Sequence, residues 1–434
     1  MTTLLRLFVL TILTLPSAAH TAEPGVAIAT GGNPASLVVF GPAEATATLG
    51  DGTVLGARAA VGAGRVSAVG HGGFLSDERA DTRQFVLDEL AWLAERGARR
   101  AWGVPDALII ELKDRGVDLA VVGGTPGELD LRGVDLIVGS AQSFERAGRL
   151  EQLSRWLDAG GSMMSVETAW GQIQLGHAAG VDDLAVNELL GESGIMYTDR
   201  ALSPNHDGVY ALDESAAGLA NAERSLRVLA GEEGGDRVLA ARVVRQALAI
   251  VPLESSLVIE ADRLRDRSAD ELAEAYRSMA KRPLKLADHP LACALLDLES
   301  RRATLRPESA AAHPSASAFP GPVPADAPRV LLHRISLSDG IPGWRSTGLY
   351  AAPGEALSIR FLSPRSDGVF IQIGAWLDPQ DFDDRYRMPR AVFRVAVEDR
   401  EATIASPIGG PVYIDLPAEI AQAGPVLVEI SGAI

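Results

Sequence analysis

The chain has 434 residues, 47% hydrophobic and 22% charged, with 44 Gly and 25 Pro. That is more than a single core holds, and it predicts two to three domains rich in turns. The net charge of -17, from 57 acidic and 40 basic residues, repels nucleic acid and anionic membrane surfaces and argues against both as partners.

Residues 1–19 have the pattern of a signal peptide. Arg6 is followed by an apolar stretch, Leu7–Leu15, that is too short to span a bilayer, and then by the small residues Ser17-Ala18-Ala19. The expectation is cleavage after Ala19 and a secreted or periplasmic location. No cysteine follows the apolar run, so a bacterial lipid anchor is not expected, and no later stretch is long and apolar enough for membrane insertion. The one cysteine, Cys293, lies in LACALLDLE at helical spacing. It is expected to be a small buried hydrophobe, and a lone thiol makes no internal disulfide.

Residues 20–64 contain two short apolar runs, Ser36 to Gly41 and Val54 to Val61, punctuated by glycine. They are expected to form a small β-appendage. From Arg65 the chain alternates between the two periods. Strands are expected at 65–70, 101–104, 117–122, 134–138 and 162–166, with helices over 81–96, 105–115 and 143–159. Short apolar strands alternating with helices predict an α/β unit on a doubly wound parallel sheet. Residues 184–300 carry helical periodicity, and the unit with this helical extension is placed at 65–302. Six prolines between 303 and 329 predict an extended, accessible linker. From 330 to 434, runs such as ALSIRFL, GVFIQIG and PVYIDLP alternate with period two and predict an all-β sandwich.

Three constellations bear on chemistry. In an open parallel sheet, ligands bind beyond the carboxyl ends of the strands. His71, Glu167 and Trp170 follow such ends and form a candidate binding crevice. The plain alternative is a structural histidine at a strand end. Ser203-Pro-Asn205-His-Asp207-Gly208 with Glu214 has the spacing of a calcium loop, but position one is Ser, and an Asx-type turn is the better fit. A zinc peptidase of the H-E-x-x-H type needs two histidines one helical turn apart and a glutamate base. None of the seven histidines is followed by Glu, and no two have that spacing.

Two resemblances go further. Val134 to Gln172 resembles a class I glutamine-amidotransferase-like domain of the flavodoxin-like type. In that family the turn after the strand carries a nucleophilic Cys; here it reads Ser165-Val166-Glu167-Thr168, which implies a degenerate site. In the C-terminal part, Trp344-Arg-Ser346-Thr347-Gly348-Leu349-Tyr350-Ala-Ala-Pro353-Gly354-Glu355 resembles the enhancin-like, mucin-directed zinc metallopeptidases (family sixty of the metallopeptidases) and their relatives, the TRP-channel-associated factors. Ile371 to Asp378 with Arg387-Met-Pro389, and Gly409 to Pro417, match in the same order.

The resemblance implies the N-terminal, non-catalytic part of a secreted peptidase acting on glycoproteins such as mucins. It also implies that zinc belongs to a downstream domain and that this chain carries no catalytic or metal-ligating residues and no cofactor. The alternative is a stand-alone secreted module that binds glycan or protein; an independent hydrolase using the α/β crevice ranks behind both. Trp344, Tyr350 and Trp376 are candidates for stacking on sugars, with at least two of them expected in the sandwich core.

Overall fold

The computed structural model describes residues 25–434 other than 338, 339, 379 and 381. The proposed signal peptide and its cleavage point lie outside the described residues.

A nine-stranded mixed sheet organises the first half of the chain. Its strands are β1 (Ala35–Val39), β2 (Glu44–Thr48), β3 (Val54–Val61), β4 (Gly64–Val69), β5 (Arg100–Trp102), β6 (Ala120–Val121), β7 (Leu136–Gly139), β8 (Ser162–Val166) and β9 (Ile195–Ala201). The order across the sheet is β9-β1-β3-β4-β8-β7-β5-β6, and β2 pairs with β3 off that path. Helices cover both faces, because adjacent apolar residues in a strand point to opposite sides. Met163 and Ile137 pack with Phe144, Leu153 and Leu157 on one face; Met164, Leu136 and Val138 pack with Val86, Leu90 and Leu93 on the other.

Two expectations are corrected here. The described part of the expected 20–64 appendage, residues 25–64, does not stand apart: β1, β2 and β3 belong to the central sheet, with Leu37, Val39 and Ala57 in one core and Leu55 in the other. The junction depends on Gly70, where a Cβ would stand 1.9 Å from the Ala35 carbonyl oxygen. Nor is the sheet parallel throughout. β4, β8, β7, β5 and β6 are parallel, but β9, β1, β2 and β3 join antiparallel. The reason is connection length. β3 and β4 are linked by the two-residue turn Gly62-Ala63, with Gly62 at a φ of 55°, and a turn that short permits only an antiparallel hairpin. The helix expected over 143–159 also divides, into Ala141–Arg146 and Leu150–Asp158.

Beyond β9 the chain is helical, including Arg237–Leu248 and the long helix Pro290–Leu305. Two four-stranded antiparallel sheets come next. Their strands are β10 (His333–Leu337), β11 (Gly343–Ala351), β12 (Leu357–Phe361), β13 (Phe370–Trp376), β14 (Ala391–Ala396), β15 (Glu401–Ile404), β16 (Gly410–Leu416) and β17 (Val426–Ser431). One sheet runs β10-β17-β12-β15 and the other β11-β16-β13-β14. Alternate residues of both, among them Ile359, Phe361, Ile373, Ile414 and Val428, fill one core. That core is continuous with the helices, since Val244, Leu295 and Cys293 belong to it too.

The extended linker is corrected as well. Residues 307–319 pack between helices and sandwich, whereas 321–328 stay largely at the surface: Pro307 and Ser315 are buried, and the Ala405 amide donates to the Pro307 carbonyl at 2.7 Å. The His313 ring meets Glu299 through Nε2 at 2.9 Å and Ser315 through Nδ1 at 2.6 Å, and lies 4.6 Å from the Tyr276 ring. Proline removes an amide donor but buries as readily as other apolar residues where that donor is not needed.

Candidate functional site

Three parallel strands end side by side at β4, β8 and β7, and a polar side chain lies just past each end: His71 beyond Gly70, Glu167 and Ser140. The register pairs Val69 with Val166, and the Glu167 amide donates to the Val69 carbonyl at 3.2 Å. His71 and Glu167 therefore emerge on adjacent strands, as the strand-end argument predicts.

His71 caps the short turn Gly72–Ser76: its Nδ1 accepts from the Gly73 amide at 2.8 Å and meets the Thr30 hydroxyl at 2.8 Å. Desolvation holds its pKa below the ordinary imidazole value. The Trp170 indole N–H donates to the Asn33 carbonyl at 2.9 Å. A Cβ on Gly32 would stand 2.6 Å from His71 Nε2, so only glycine lets this loop lie against the ring. The stretch from Thr30 to Asn33 thus lies across the strand ends, held by His71 and Trp170. Any ligand placed there has to displace it.

Glu167 is 2% exposed. Its Oε1 accepts from the Ser140 hydroxyl at 2.9 Å, while Oε2 is buried with no hydrogen-bond partner. Burial pushes its pKa up to about 7, against weaker opposing pulls from Ser140, the amides of Ala141 and Gln142, and Arg146. Tyr197 lies fully buried beside it, with its hydroxyl 3.2 Å from the Val69 carbonyl and 3.0 Å from the Ser165 carbonyl. Burial first, and the Glu167 charge after it, raise the phenol far above its usual range. Chemically, the group is a carboxylic acid that can stay protonated near neutrality beside a serine hydroxyl. The strand-end rule that found His71 and Glu167 also reaches Ser140. Thr30 and Tyr197 come from distant parts of the chain and carry no local signal.

The other candidates separate. The Asn205 side chain accepts from the amides of Asp207 and Val209, at 2.9 and 3.1 Å, which makes 205–209 an Asx-type turn. Cys293 is buried, and burial pushes its thiol up to about 12, too high for a reactive thiolate. Among the described residues, no three His, Cys, Asp or Glu side chains are grouped to hold a metal ion. Among the described residues, no helix is long and apolar enough to cross a membrane.

The sandwich aromatics depart from expectation. None of Trp344, Tyr350 and Trp376 belongs to the buried core, and Trp344 and Trp376 are 38% and 37% exposed. The reason is parity. In β11 and β16 the core takes Leu349, Ala351, Val412, Ile414 and Leu416, and the residues between them face outward.

Residues 329–431 match the family described as the N-terminal domain of M60-like peptidases. A TRPM8 channel-associated factor homolog from Xenopus laevis is 29% identical over 116 residues, which is 24% of this chain and 13% of that protein. Among solved structures, the IMPa metallopeptidase from Pseudomonas aeruginosa is 16% identical with a TM-score of 0.46, over 94% of this chain and 51% of that chain. The same metallopeptidase in complex with T-antigen is 17% identical with a TM-score of 0.47, over 95% of this chain and 52% of that chain. The chain thus spans about half the length of that metallopeptidase and a far smaller share of the Xenopus protein. The segment from 329 to 431, which holds the β-sandwich, is thus similar to the N-terminal domain of M60-like peptidases.

Proposed function

We propose that this chain is the non-catalytic N-terminal portion of a secreted, enhancin-like zinc metallopeptidase acting on glycoproteins such as mucins. The observation that carries it is the family match over 329–431, a domain type that belongs to such peptidases without holding their zinc helix. Three further observations agree. The 434 residues contain no H-E-x-x-H sequence. Arg6, the apolar run Leu7–Leu15 and Ser17-Ala18-Ala19 support export. The strand, turn and helix over Ser162–Val166 and Ala169–Gln174 support a degenerate amidotransferase-like character for the first unit.

Elemental analysis of the dialysed 434-residue protein, with mucin and casein cleavage assays, tests the assignment. The expected result is no stoichiometric zinc and no chelator-sensitive cleavage. Zinc-dependent cleavage by this chain would move the active site into the α/β unit. The coding sequence beyond Ile434 discriminates the alternative: an H-E-x-x-H there supports the peptidase, and a stop codon supports a stand-alone binding module.

A further inference from the structure

The outer face of the β11-β16-β13-β14 sheet carries a strip of aromatic rings. Cross-strand register places Trp344, Asp415, Phe370 and Ala396 in one transverse row, and Ser346, Tyr413, Gln372 and Arg394 in the next. The Trp344 and Tyr413 rings lie 5.6 Å apart. The Arg394 guanidinium lies 4.5 Å above the Phe370 ring and donates to Asp415 at 2.6 Å. Trp344 and Phe370 are 38% and 36% exposed, whereas the neighbours of Phe370 and Asp415 on the other side of the sheet, Ile371 and Ile414, are fully buried.

From this arrangement we infer that the strip is a binding platform for neutral glycan chains, formed by Trp344 and Tyr413 as stacking surfaces, by Phe370, whose ring Arg394 covers on one side, and by Asp415 and Arg394 as hydrogen-bonding groups. The apolar face of a pyranose ring packs on an aromatic ring, and its edge hydroxyls require planar polar partners; the strip supplies both side by side. Trp344 and Phe370 flank Asp415 from the two neighbouring strands, so their backbones stand about 10 Å apart at ordinary strand spacing. That separation suits two successive sugar rings.

Charge selects neutral over acidic sugars. Arg394 and Asp415 neutralise each other in a close pair, and the whole chain carries -17, which repels a sialylated or sulfated chain. The platform stands on the geometry of the sheet alone and holds whether or not the chain serves a peptidase.

The test is calorimetric titration of the whole 434-residue protein with a desialylated mucin glycopeptide, the same peptide without glycan, and the sialylated form. Binding is expected for the desialylated glycopeptide only, or at least markedly more tightly. Trp344→Ala and Phe370→Ala should each weaken it about tenfold or more with unchanged thermal unfolding. Trp344→Phe should retain most of it, and Phe382→Ala, an exposed aromatic on another segment, should leave it unchanged. The proposal is overturned if the wild-type protein binds no neutral glycan at millimolar concentration, or if it binds the bare peptide equally well. It is equally overturned if Trp344→Ala abolishes self-association instead of glycan binding, which would identify a second copy of the chain as the occupant.

Discussion

One terminal nitrogen of Arg385 meets both carboxylate oxygens of Asp297, at 3.1 and 2.9 Å, and so ties the loop before β14 to the helix Pro290–Leu305. Arg385 is 1% exposed, and the short ladder pairing Leu284–Lys285 with Asp384–Arg385 holds its backbone. Arg245 approaches the same carboxylate at 3.5 Å. Removing Arg385 takes the buried guanidinium from Asp297 and leaves it the longer contact to Arg245, a weaker compensation for a charge held in the interior. Arg385→Ala is therefore expected to cost about 3 kcal/mol, the lower end of the range for breaking a buried ion pair, measured by urea unfolding. Helices and sandwich share one core, so they should lose structure in one transition; a sandwich that melts separately, unaffected by the substitution, would contradict this.

The 307–319 segment should resist limited proteolysis despite its prolines. Pro307 and Ser315 are buried, and the His313 amide donates to the Pro407 carbonyl at 2.8 Å. Proteases need several residues of locally unfolded chain. His313→Ala removes the links to Glu299 and Ser315 and is expected to cost about 1–3 kcal/mol. It should open the segment to cleavage. Rapid cutting between 307 and 319 in the wild-type chain would refute the packed arrangement.

Glu167 should make the α/β unit less stable as pH rises. Its carboxyl titrates near 7 in the folded state, against an ordinary value of 4.5. Between those values the folded state holds a proton that the unfolded state has lost, so stability falls with pH across that window and levels off above it. The 2.5-unit gap between the two values corresponds to about 3 kcal/mol at most. Glu167→Gln should remove this component, gaining on the wild type between pH 4.5 and 7.5 in urea midpoints. Parallel profiles for the two proteins would refute it.

His71→Ala should release the Thr30–Asn33 loop from the strand ends. The loss of the bonds to Thr30 and the Gly73 amide costs about 1–2 kcal/mol. Amide hydrogen exchange at residues 30–33 should accelerate while β4 and β8 stay protected. Uniform acceleration across the sheet would assign His71 to the global fold instead.

Cys293 is fully buried, with its thiol held near 12. It should not react with a thiol-specific disulfide reagent until the protein unfolds, so labelling should track the urea transition. Stoichiometric labelling of the native protein would overturn the buried position.

Taken alone, the sequence determined what depends on neighbouring residues. Period-two runs such as Leu357 to Phe361 and Val412 to Leu416 became strands with one buried side, because alternation commits a strand to one face whatever it packs on. The strand ends at His71 and Glu167 were legible for the same reason, and so was the burial of Cys293, set among apolar residues at helical spacing. The segment Trp344 to Glu355 carried its family relationship in local motif order. Tertiary structure decided what depends on distant partners. The strands of residues 35–61 show the same short apolar runs whether they stand apart or join a larger sheet; only their pairing with β4 and β9 settles it. The prolines of 303–329 mark irregular backbone in either case, and only Glu299, Tyr276 and Pro407 arriving from elsewhere bury residues 307–319. Trp344 and Phe370 face outward because the opposite side of their sheet is closed by the second sheet. That choice of side is a property of the packed sandwich, which no single strand encodes.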